Sequence, residues 1–88
     1  MLRISMSEPQ GESIQLRLDG RISGRWVKLL RRTCAVQQRR GLRTLLDLRN
    51  VSYADRDGIA LLQALTEQGV EILHAPPFIA ELIRREGP

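Results

Sequence analysis

The sequence predicts an α/β fold in which about four strands form a mixed, mostly parallel sheet and three helices pack against it. Three observations carry that expectation. Apolar residues alternate strictly through Ser13-Ile14-Gln15-Leu16-Arg17-Leu18-Asp19, the pattern of a half-buried strand. The run from Leu42 to Leu48 shows little alternation and reads as a strand covered on both faces by helices. Amphipathic stretches after Ser23, around Gly58 and after Pro77 separate the strands at helical spacing.

Residues 2 to 6 read as a short edge strand, and Ser7 to Glu12, with Pro9 and Gly11, as a turn. After Gly20-Arg21-Ile22, Ser23 is placed to cap a helix of about four turns that ends before Gly41. At about 100° per residue, Trp26, Val27, Leu30 and Cys34 share one side of that helix, and Arg25, Lys28, Arg32 and Arg39 share the other. A second helix runs from near Asp55 to Gln68, its Ile59, Leu61, Leu62 and Leu65 spreading over a wide arc. Gly69 stands where a left-handed helix end favours glycine. Val70-Glu71-Ile72-Leu73 makes the next strand. Pro77 suits the first turn of a last helix whose apolar stripe is Phe78, Ile79, Leu82 and Ile83, with Glu81, Arg84 and Arg85 facing water. A strand-strand-helix-strand-helix-strand-helix order calls for right-handed crossovers over a parallel core.

The chain has 88 residues, enough for one domain, residues 1–88. Its 42% apolar and 27% charged residues match a folded protein and not a disordered one. The single cysteine, Cys34, excludes an internal disulfide and fits a cytoplasmic setting. No stretch approaches the roughly 18 apolar residues of a membrane span, so direct membrane insertion is not expected. A net charge of +4 raises the question of a nucleic-acid partner. Only Trp26, Tyr53 and Phe78 are aromatic, however, and they are too scattered to form a base-stacking platform, so no specific nucleic acid is expected.

Catalytic and ligand motifs are missing. The glycines form neither a P-loop nor a dinucleotide fingerprint, and no serine sits in a nucleophile elbow. One histidine, His74, and one cysteine do not make a zinc site, and Asp55 and Asp57 lack the further oxygen ligands of a calcium loop. No enzyme activity, cofactor or metal is expected.

The stretch "LLDLRNVSYADRDGIALL", residues 45 to 62, carries the functional signal. It resembles the signature of the STAS domain family, which includes bacterial anti-sigma factor antagonists and the cytoplasmic tails of sulfate transporters. That signature is an apolar strand ending in Asp-Leu-Ser, a short link with an aromatic residue, then Asp-Ser-Ser-Gly opening a helix. Leu46-Asp47-Leu48 matches the strand end, Val51 and Tyr53 the link, and Asp55 and Gly58 the outer positions of the tetrapeptide. "LRLDGRIS" is similar to the family's second strand and turn. The resemblance implies a STAS-like fold and a non-catalytic interaction module. Its partner would be a protein, an anti-sigma factor or kinase-like regulator, or alternatively a membrane transport complex that it serves as accessory subunit. The expected contact residues are Tyr53, Asp55, Arg56, Asp57 and Gly58, with Arg21 and Ser23 in the turn after the second strand. An apolar edge strand leaves a homodimer open.

Two positions depart from the family pattern. Arg56 and Asp57 replace the two serines, the second of which is the phosphoacceptor in members that work by partner switching. Ser23 stands where many members carry an acidic residue. Asp57 then has two readings. A carboxylate in a helix's first turn is favoured by the dipole by about 0.3 to 1 kcal/mol. Alternatively, it is a fixed charge standing in for phosphoserine, which carries about −1.5 to −2 and three acceptor oxygens, so any mimicry is partial.

Overall fold

Among the described residues seven elements follow one another in the expected order: β1 (Leu2–Met6), β2 (Ser13–Ile22), α1 (Arg25–Arg39), β3 (Arg43–Ala54), α2 (Arg56–Glu67), β4 (Glu71–Leu73) and α3 (Pro77–Arg84). The structure is a computed structural model and describes residues 1–85. The four strands lie in the order β1-β2-β3-β4, with β1 antiparallel to β2 and the other two pairs parallel. Alternation in β2 fixes which face is buried. Ile14, Leu16 and Leu18 are buried, while Gln15 and Arg17 between them are exposed. Strand register extends that face across the sheet in the row Met6, Leu16, Leu46, Ile72.

The helices share that face. α1 packs on β2, β3 and α2, and α2 packs on β3 and α3. Val27, Leu30 and Cys34 of α1 are buried, and Arg25, Lys28, Arg32 and Arg39 are exposed, as the helical spacing predicts. Burial pushes the Cys34 thiol up to about 11, which leaves it inert as a nucleophile at neutral pH. Both long helices end alike. The Leu42 and Val70 N–H groups donate to the Gln37 and Leu65 carbonyls at 3.0 Å, and the Gly41 and Gly69 N–H groups donate one turn inside.

Four expectations need correction. The helices cover one face of β3, not two: Leu46 and Leu48 are buried beneath them, while Leu45 and Asp47 share the other face with Gln15 and Arg17. The flat apolar pattern arises from Leu45, which is half-buried on the other face, while Asp47 beside it is buried with its carboxylate accepting the Arg49 N–H at 3.0 Å. β3 also continues to Ala54, so Val51 and Tyr53 lie on a strand and not in a link. β2 is long enough to pair with this extension after register shifts between Arg17 and Asp19 and between Gly20 and Arg21, which let it bend.

Ser23 is not the cap of α1. Gly24 occupies that position at φ 57°, ψ −134°, and as a glycine supplies no side-chain cap. A side chain is strained at a φ of that sign, so glycine suits the position, and Ser23 contributes only its carbonyl, which accepts the Trp26 N–H. In α3, Ile79 is buried and Ile83 packs on the core, but Phe78 and Leu82 remain 47% and 39% exposed. This eight-residue helix rests mainly on α2 and cannot bury its whole stripe.

Candidate functional site

Because β2 and β3 are parallel, their C-terminal ends lie side by side, and α1 and α2 both start from that edge. Crevices at such strand ends are where α/β sheets collect binding sites. Register places Arg21 opposite Tyr53 and Ile22 opposite Ala54. The Arg21 guanidinium carbon lies 4.4 Å from the centroid of the Tyr53 ring. Both side chains are exposed, so the stacking stabilises by about 0.5 to 1 kcal/mol and chiefly fixes their orientation.

Asp55 holds the two helix starts together. It is the N-cap of α2, and its Oδ1 accepts the Gly58 N–H at 2.7 Å. Its Oδ2 accepts the Gly24 N–H at 3.0 Å, across the gap to the start of α1. Its own N–H donates to the Ile22 carbonyl at 3.1 Å. The Gly24 N–H, and after it the Gly58 N–H, hold the Asp55 carboxyl below the usual carboxylate range. A carboxylate so engaged is a positioning group.

Gly58 is buried at the same junction. A Cβ there would lie 2.5 Å from the Ile22 carbonyl oxygen and 3.1 Å from Ile22 Cγ2. The outer residues of the tetrapeptide therefore set how closely α2 approaches β2.

The inner residues are different. Arg56 and Asp57 are exposed, and among the described residues neither side chain forms a hydrogen bond or an ion pair within the chain. Asp55 already caps the helix, so α2 does not require the Asp57 carboxylate as an acceptor. Beside Arg56 a groove of about 500 Å³ opens between α2 and α3, lined by Ala54, Asp55, Ile59, Leu82 and Arg85.

Of the residues expected from sequence, Arg21, Tyr53, Arg56 and Asp57 thus reach the surface of one edge, and Asp55 and Gly58 lie beneath it as supports. Ser23 is half-buried there. Sequence reasoning missed Gly24 and the Ile22 carbonyl, which join the two helix starts, because their roles depend on pairing with Asp55, 31 residues beyond Gly24. It also missed Leu82 and Arg85, because nothing local to α3 says which helix it packs against.

Asp55→Ala should lower unfolding free energy by about 1 to 2 kcal/mol at pH 7, the upper part of the range for losing a cap. The folded-state pKa is depressed, so this stabilisation is present above the ordinary carboxylate pKa and is lost as pH falls through the folded value. Urea titrations at several pH values should show the gap between wild type and variant narrowing below about pH 4. A gap of constant size would mean that the charged form is not what holds the two loops.

No protein-family model and no curated protein matches the sequence. Solved structures do match. The unphosphorylated form of the anti-sigma factor antagonist SpoIIAA aligns over 98% of this chain and 84% of its own, with a TM-score of 0.74 and 18% identity. The fold is that of a STAS domain. An anti-sigma factor antagonist STAS domain from Rhodobacter sphaeroides aligns with a TM-score of 0.62 and 15% identity, over 84% of this chain and 87% of its own. A SpoIIAA-like protein of the DUF3478 family from Shewanella loihica aligns with a TM-score of 0.59 and 10% identity, over 85% of this chain and 67% of its own. In this STAS fold the start of α2 carries no hydroxyl, since the residues between Asp55 and Gly58 are Arg56 and Asp57.

Proposed function

We propose that this chain is a non-catalytic protein-interaction domain of bacterial regulation, built like an anti-sigma factor antagonist. Its partner surface is the edge made by Arg21, Tyr53, Arg56 and Asp57. One observation carries the reading. Asp55 and Gly58 are consumed in holding α2 against β2, while Arg56 and Asp57 present opposite charges that nothing within the described residues uses. Charges held on a rigid helix start next to a stacked Arg21–Tyr53 pair suit recognition of a folded protein, in which aromatic residues and arginine supply most of the affinity. The same surface cannot be switched by phosphorylation at residues 55 to 58, so its charge is constant. The protein would act in the cytoplasm, alone or as a homodimer.

Affinity capture from the native cell tests this, with the wild-type chain and a Tyr53→Ala/Asp57→Ser variant as parallel baits. An ATPase-type anti-sigma factor retained by the wild type and lost by the variant supports the proposal. A transporter subunit retained in the same way assigns the surface to a transport complex instead. A protein retained equally by both baits would move the contact away from this edge.

A further inference from the structure

We infer that the outer face of α1 is a docking surface for an anionic lipid bilayer. The segment Arg25–Arg39, RWVKLLRRTCAVQQR, contains no acidic residue. Projected at 100° per residue, Lys28, Arg39, Arg32, Arg25, Val36 and Leu29 fall in that order within an arc of about 100°, centred opposite the buried Leu30 and Cys34. All four cations are exposed, and no carboxylate pairs with any of them among the described residues. Leu29 and Val36 stand beside them, 37% and 40% exposed. The Arg25 guanidinium carbon lies 5.0 Å from the centroid of the half-buried Trp26 ring at the end of the same helix.

Charge selects an anionic partner, and the two apolar side chains choose between kinds of anion. Phosphates on a duplex offer nothing for Leu29 and Val36, whereas the boundary between headgroups and acyl chains accepts apolar groups beside arginines whose stems lie along it. With its opposite side packed on β2, β3 and α2, α1 offers one broad exposed face, and lipid provides a flat anionic plane to meet it. The contact would be shallow, since no helix among the described residues is long and apolar enough to cross a membrane. This surface is separate from the Arg56–Asp57 edge and does not rest on the function proposed for it.

Vesicle co-sedimentation is the test, using the whole chain in about 0.1 M NaCl. Vesicles of 30% phosphatidylserine and 70% phosphatidylcholine should bind at least about tenfold more tightly than pure phosphatidylcholine, and about 0.5 M NaCl should abolish the difference. Arg32→Glu/Arg39→Glu should abolish binding. Leu29→Ser/Val36→Ser, with charge unchanged, should weaken it at least about threefold, far-ultraviolet circular dichroism serving to show that each variant is folded. Equal binding to the two vesicle types would overturn the inference, as would full binding by the serine variant. Tighter binding to duplex DNA than to the anionic vesicles, at equal phosphate concentration, would assign the face to nucleic acid instead.

Discussion

Leu46→Ala should lower the unfolding free energy by about 2 to 5 kcal/mol, more than any other prediction made for this chain. Leu46 is fully buried and sits in the row that crosses all four strands, with Leu16 and Met6 on one side and Ile72 on the other. Truncation removes apolar contacts and leaves a cavity under α1 and α2 that strands held in register cannot close. A chain of 88 residues has a total stability of about 4 to 13 kcal/mol, so this single change consumes a large part of it. The midpoint of urea unfolding measures the effect, with Leu82→Ala, at an exposed position on α3, as a control expected to change stability by under about 1 kcal/mol. A loss below about 1 kcal/mol for Leu46→Ala would mean that the sheet face is not the core described above.

Gly58→Ala should also destabilise, by about 1 to 3 kcal/mol. Helix propensity alone argues the other way, since alanine is favoured over glycine in a helix by up to about 1 kcal/mol. Space overrules propensity here. The added methyl would meet the Ile22 carbonyl oxygen at 2.5 Å, Ile22 Cγ2 at 3.1 Å and Asp55 Oδ1 at 3.3 Å, so β2 or the start of α2 has to move. Moving that start also shifts Asp55 relative to Gly24 and tilts the exposed Arg56 and Asp57, so the variant should lose partner affinity along with stability. An increase in thermal midpoint would show that α2 can slide freely at its first turn.

The sequence makes some of this visible and hides the rest for physical reasons. Alternation in Ile14, Leu16 and Leu18 could be read directly because β2 has one open face, and period-two patterning survives only there. β3 misled because Leu45, an apolar residue, sits half-buried on its open face opposite Gln15, so that face looks covered too. The helix ends at Gly41 and Gly69 were legible because such ends are set within a few residues. The start of α1 was not, since its organising carboxylate comes from Asp55, 31 residues away. The tetrapeptide "DRDG" could be located as a site, yet the division between its supporting ends and its exposed middle depends on how near Ile22 lies to Gly58. That distance is a tertiary quantity.

Calorimetric titration of the captured partner against wild type and Asp57→Ser, with thermal unfolding of both chains in parallel, measures what the fixed charge at the start of α2 does. If Asp57 belongs to the contact surface, affinity changes by more than about fivefold, equivalent to about 1 kcal/mol, while the thermal midpoint falls only slightly. Unchanged affinity accompanied by a lower thermal midpoint would contradict that role and leave Asp57 as a helix-start carboxylate alone.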